Sequence, residues 1–211
     1  MLSKTTDTFR KIIETASAVF AEQGYAGARM EGIAKAAGIN KATLYYQVGD
    51  KEALYHAVLE RVLGQTAKDI EKELDGIDDS EERLRRFIAI FGRNTGIMRY
   101  TAPLMLREMA DGGRNIPDAL LPFLDRFLSL LDDALAQGIH SGQFRQVDSL
   151  MLHMLIVGGL MFYSANEPVR QRIAKMHDRM PDGRFPPTVQ PSTQFTDLLL
   201  AAIRKPQDTL R

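Results

Sequence analysis

The chain has no cysteine, which excludes disulfides, thiolate metal sites and cysteine nucleophiles together and suits a reducing compartment. It has no net charge either: 27 Lys and Arg balance 27 Asp and Glu, and the first 51 residues hold seven basic side chains against five acidic ones. Bulk charge therefore points to no polyanionic partner, and a case for nucleic acid has to rest on local arrangement. No apolar run reaches the roughly 20 residues of a membrane span. The longest, residues 150–163, is 14 residues long, contains His153, and reads as a buried helix, so no membrane partner is expected. The opening Met1-Leu2-Ser3-Lys4-Thr5-Thr6-Asp7 lacks an apolar stretch of signal-peptide length, and the first amphipathic segment carries Glu14 and Glu22, so the expected location is cytoplasmic. Enzyme signatures are missing as well. There is no Walker loop, dinucleotide fingerprint or Gly-x-Ser-x-Gly elbow, and His56, His140, His153 and His177 include no pair at metal-ligand spacing. No catalytic residue, metal or cofactor is expected, and the chain does not read as an enzyme.

What is present is helical periodicity in a chain whose 45% hydrophobic content supports a sizeable core. Phe9, Ile12, Ile13, Ala16, Val19 and Phe20 share one face of a helix over residues 6–23, closed by Gly24. A short helix over 30–37 turns Ile33, Ala34 and Ala37 inward before Gly38 breaks it, and Asn40 can cap a third helix starting at Lys41. Gly49 ends that helix, and Asp50 can cap a long fourth one over about 51–74 with Leu54, Val58, Val62, Ala67 and Ile70 inward. Further helices are expected from Ser80 with Leu84, Phe87, Ile88 and Phe91 inward, around Leu104 to Met109, from Pro117 to about Ile139, from Asp148 to Asn166, and over 193–203. Pro181, Pro186, Pro187 and Pro191 mark a surface loop. No strand pattern competes, so the fold class is all-α.

Residues 30–47 meet the demands of a helix-turn-helix, whose second helix lies in the major groove while the first braces against the backbone. Ala34 supplies a small crossing residue, Gly38 a turn tolerating left-handed geometry, and Lys41, Thr43, Tyr46 and Gln47 a polar outer side. Beyond this plan, the blocks Phe20-Ala21-Glu22-Gln23-Gly24-Tyr25, Ile33-Ala34-Lys35-Ala36-Ala37-Gly38-Ile39, Lys41-Ala42-Thr43-Leu44-Tyr45-Tyr46 and Lys51-Glu52-Ala53-Leu54 resemble the TetR/AcrR family of transcriptional regulators over about residues 9–60.

The resemblance implies a three-helix DNA-binding domain over 1–52 and a ligand-binding and dimerisation domain over 53–211, linked by the fourth helix. It also implies a homodimer on a palindromic operator of double-stranded DNA, with a small-molecule effector and repression as the default output. By position, Lys41, Thr43, Tyr45, Tyr46 and Lys51 match family positions that meet DNA, and Ala42 stands where a small residue allows close approach. Lys41, Tyr46 and Lys51 suit phosphate contacts, and Thr43 and Gln47 suit base edges. Tyr45 fits packing onto the first helix equally well. Three departures alter the expected operator: Ala28-Arg29 replaces a capping hydroxyl and offers Arg29 to phosphate or groove, Gln47-Val48 replaces His-Phe, and Asp50 replaces a common Ser.

In the second half the residues suggest two uses of apolar surface. Phe87, Phe91, Met98, Met105, Met109, Phe127, Met154 and Phe162 are candidates for a pocket taking a hydrophobic effector, against plain core packing as the alternative. Leu152, Leu155, Ile156, Gly159 and Tyr163, with Leu198, Leu199 and Ala202 of the last helix, are candidates for a four-helix dimer interface. His153 has two readings, a hydrogen-bonding partner for a ligand or a satisfied interface histidine, and the second is preferred. The competing class is a helical scaffold dimer without DNA affinity, which the salt dependence of duplex binding separates from a regulator.

Overall fold

The computed structural model describes residues 2–97, 100–176 and 191–206. Among these there is no strand, only one isolated antiparallel bridge between Phe144 and Arg204. In chain order the helices are α1 (Leu2–Gly27), α2 (Met30–Ala37), α3 (Lys41–Val48), α4 (Lys51–Leu74), α5 (Ser80–Ile97), α6 (Thr101–Ala110), α7 (Leu121–His140, after a 3₁₀ turn at Asp118–Leu120), α8 (Ser149–Ala165), α9 (Glu167–Met176) and α10 (Pro191–Ile203). Two compact units form, Met1–Gln65 with Met98–Phe123, and Thr66–Ile97 with Leu124–Arg211. The first unit runs past the expected division at residue 52 to Gln65 within α4, and it also takes in α6.

The first unit is built as the periodicity requires. Ile12, Ile13, Ala16 and Phe20 of α1, Ile33, Ala34 and Ala37 of α2, Leu44 of α3, and Leu54, Tyr55 and Val58 of α4 are all buried. Phe9, expected on the inner face, is 40% exposed, one turn ahead of the first fully buried residue, Ile12. Gly24, at φ +73°, breaks the helical geometry of α1 where the stop was expected. What draws α6 into this unit is a pair of adjacent side chains. The Arg107 guanidinium donates to the Ala21 and Glu22 carbonyls at 2.9 and 3.0 Å, filling acceptors left open at the end of α1. The buried Glu108 carboxylate accepts from the Tyr55 hydroxyl at 2.6 Å and from the Asn115 backbone N–H at 2.8 Å. Burial and that hydrogen bond to Glu108 push the Tyr55 phenol well above its ordinary range. Tyr55 in turn packs edge-on to Phe20 and against Tyr25, each with 4.8 Å between ring centroids.

In the second unit, Leu84, Phe87, Ile88 and Phe91 of α5 are buried together with Leu131 and Leu135 of α7, Leu152, Ile156 and Leu160 of α8, and Leu200 and Ile203 of α10. Close approach depends on glycine. A Cβ on Gly92 of α5 would lie 2.8 Å from the Ser192 Cβ of α10, and one on Gly159 of α8 would lie 2.7 Å from the Phe195 ring. Glu81, at the start of α5, pairs with Arg85 and with Arg204 just after α10, and Arg85 also reaches Asp197 at 2.8 Å. The hydrogen bond from Arg204, helped by Arg85, holds the Glu81 carboxyl below the usual carboxylate range against the opposing effect of burial.

Helix α9 was not anticipated. Its polar composition hides the spacing Val169, Ile173 and Met176, and Pro168 falls in the first turn, where its missing N–H has no helical partner to lose. Pro191, assigned to the loop, begins α10 for the same reason, and the other prolines of that expected loop lie outside the described residues.

Candidate nucleic-acid interface

α2 and α3 meet across a turn whose geometry follows from three residues. Gly38 adopts the left-handed conformation (φ 67°, ψ 33°) and returns its N–H to the Ala34 and Lys35 carbonyls. Asn40 caps α3, its side-chain oxygen accepting from the Thr43 N–H at 2.7 Å. Leu44 is the one fully buried residue of α3 and pins the helix to its unit. At the far end Gly49 (φ 76°) donates to the Tyr45 carbonyl, and the Asp50 side chain accepts from the Ala53 N–H at 2.8 Å to cap α4.

With Leu44 inward, the opposite side of α3 is presented outward. Tyr46 is 87% exposed and Tyr45 41%, Lys41 and Ala42 are exposed, and Thr43 and Gln47 are half-buried at the flanks. At 41% exposure Tyr45 stands on the outer side of α3 and outside the core. Lys41 is engaged with its own protein, pairing with Glu31 of α2 and lying 5.7 Å from the Tyr45 ring centroid. Glu31 was absent from the expected site, since a pairing ten residues apart across a turn leaves no periodic trace. The Lys51 ammonium donates to the Ala26 carbonyl at 3.3 Å and sits 4.7 Å over the Tyr25 ring, an arrangement that holds a cation at the start of α4. Arg29 precedes α2 in extended backbone and provides no side-chain cap, as the missing hydroxyl implied.

Two family models match the chain, one described as bacterial regulatory proteins of the tetR family over residues 12–58, the other as a tetracyclin repressor-like C-terminal domain over residues 81–184. The chain belongs to the TetR family. Like the rest of the family it is a DNA-binding transcriptional regulator. Among curated relatives, the fatty acid metabolism regulator protein of Bacillus subtilis is 24% identical over 151 residues, covering 71% of this chain and 78% of its own. Among solved structures, the TetR-family regulator PfmR of Thermus thermophilus is similar with a TM-score of 0.64 and 26% identity, over 73% of this chain and 83% of that one. The ketosteroid transcriptional regulator KstR2 of Mycobacterium tuberculosis shares the fold at a TM-score of 0.73 and 21% identity, over 94% and 95%.

The remaining expected site residues of this TetR-family chain divide differently from the sequence reading. Phe87, Phe91 and Phe127 are buried in the second unit, with Phe91 and Phe127 edge to face at 6.3 Å. Met105 is buried in the first unit, Met109 is 51% exposed, and Met98 lies outside the described residues. Met154 and Phe162, expected at the pocket wall, are 52% and 64% exposed on α8 and face away from the core. Of the expected interface residues, Leu152 and Ile156 are buried within the chain, Gly159 lies against the Phe195 ring, and the Tyr163 ring carries the Arg170 guanidinium at 3.7 Å. Leu155, Leu198 and Ala202 are exposed, and Leu199 is half-buried. An apolar stripe of Met151, Met154, Leu155 and Phe162 results on α8. His153 is 6% exposed, its Nδ1 meets no hydrogen-bond partner among the described residues, and burial pulls its basicity below the ordinary histidine value. No single helix among the described residues is long and apolar enough to cross a membrane.

Proposed function

We propose that the protein is a cytoplasmic, homodimeric repressor that holds a palindromic operator through α3 and is released by a small hydrophobic effector. The burial of Leu44 supports this above all, because it turns Lys41, Ala42, Tyr45 and Tyr46 outward on a helix capped at its start. Lys41, Tyr46 and Lys51 contact phosphates, Arg29 adds a phosphate or groove contact, Ala42 permits close approach, and Thr43 and Gln47 read base edges. The second copy covers the stripe of Met151, Met154, Leu155 and Phe162 on α8 together with Leu198 and Ala202 of α10. The effector lies in the second unit, where the buried Phe87, Phe91 and Phe127 offer an apolar lining, and a relative named for fatty acid metabolism supports an apolar ligand. α4 contributes residues to both units, so an effector-driven displacement of α4 reaches Asp50 and Lys51 and changes how the two recognition helices span sites roughly 34–36 Å apart. The test is duplex binding by fluorescence anisotropy on the chain's own upstream DNA between about 50 and 200 mM salt, where affinity falls by orders of magnitude. Binding to no duplex, or binding indifferent to salt, refutes the reading.

A further inference from the structure

The Glu31–Lys41 pair lies on the face assigned to DNA, and its partners come from the two helices of the motif. Glu31 sits in the first turn of α2 and Lys41 is the first residue of α3; both side chains are more than half exposed, at 61% and 56%. We propose that Glu31 is an affinity-limiting residue for DNA binding, an internal competitor that occupies the Lys41 ammonium until a phosphate displaces it. The inference rests on the reading that α3 meets duplex DNA.

The electrostatics run as an exchange. A phosphate brought to the Lys41 ammonium is also brought to the Glu31 carboxylate, and two anions cannot share that cation without repulsion. Either the internal pair opens, or Glu31 stays and opposes the phosphate; both reduce what the contact contributes. The hydrogen bond between them lowers the carboxyl of Glu31 and raises the ammonium of Lys41, the directions a paired acid and base take. With only seven basic side chains against five acidic ones in the first 51 residues, neutralising one of them weighs heavily on the sequence-independent part of binding. A regulator that must leave its operator when an effector arrives benefits from such a limit, because the phosphate contacts are the ones that no change of operator sequence can weaken.

The test is a double-mutant cycle of Glu31→Gln and Lys41→Met, measured by anisotropy on a duplex of about 30 base pairs of arbitrary sequence and on one selected from a random library by the unaltered protein. Thermal melting of all four proteins confirms that the exposed substitutions leave the fold intact. Glu31→Gln is expected to raise affinity for both duplexes by about two- to fivefold per protomer. The salt slope is expected to steepen by about 0.9 per protomer. In the Lys41→Met background both effects are expected to vanish. An unchanged affinity and slope for Glu31→Gln overturns the proposal while leaving the DNA reading intact. So does a gain that persists in the Lys41→Met background, since that would be a general effect of charge. Failure of the unaltered protein to bind either duplex overturns the DNA reading and the proposal together.

Discussion

Replacing Gly138 with alanine sets two physical effects against each other. Gly138 lies inside α7, where glycine is about 1 kcal/mol worse than alanine, so helix propensity alone predicts that Gly138→Ala stabilises. Packing reverses the sign: a Cβ at this position would lie 2.1 Å from Phe144 Cδ2 and 2.4 Å from Cε2, far inside van der Waals contact. The ring has little room to retreat. Phe144 is 2% exposed, and its N–H donates to the Gly138 carbonyl at 2.9 Å. Its neighbours are tied to the end of α10, with the Arg145 N–H on the Ile203 carbonyl and the Lys205 N–H on the Gln143 carbonyl, each at 2.9 Å. Relief therefore requires α7 and the 144 segment to separate by roughly 1 Å or more, which costs at least the upper part of the ~1–3 kcal/mol seen for overpacked cores. After the propensity gain is deducted, a net loss of about 2 kcal/mol remains, or about 4–8 °C in Tm for a chain of this size. The assay is calorimetric melting at matched protein concentration, with Gly32→Ala in α2 as the control. A Cβ on Gly32 meets nothing within 4 Å, so that variant is expected to melt slightly higher. If Gly138→Ala raised Tm alongside Gly32→Ala, the packing argument would be wrong.

Tyr55→Phe removes a donor from the buried Glu108 carboxylate and is expected to cost about 1–3 kcal/mol, seen as a lower chemical-denaturation midpoint; an unchanged midpoint would show that the hydroxyl does not brace α6. Phe162→Glu places a charge in the outward stripe of α8 and is expected to yield a folded monomer by sedimentation velocity, whereas a persisting dimer would move the interface elsewhere. Because burial depresses His153 below its ordinary value of 6.5, the unfolded chain takes up the proton first as pH falls. Its contribution to stability is therefore full above that value and lost as pH drops toward the folded pKa. The Tm difference between about pH 7.5 and 5.5 is expected to shrink in His153→Leu, and an identical difference would exclude this histidine as the cause.

Local interactions explain why so much of the N-terminal fold is legible in the sequence. The caps at Asn40 and Asp50, the turn at Gly38 and the break at Gly24 involve groups within a few residues of one another, so chemistry and spacing suffice to place them. The inner faces of α1, α2 and α4 follow from 3.6-residue periodicity because those helices are polar on one side. Helix α8 offers no such contrast. It is apolar nearly all round, and only packing decided that Leu152 and Ile156 go inward while Met154, Leu155 and Phe162 stay outside. The tertiary fold likewise decided the pairings between distant residues: Glu108 with Tyr55 across 53 positions, Arg107 with the end of α1 across 86, and Glu31 with Lys41 across a turn. A side chain's own identity sets what it can bond, but which partner reaches it depends on how helices stack, and no local pattern in the chain encodes that distance.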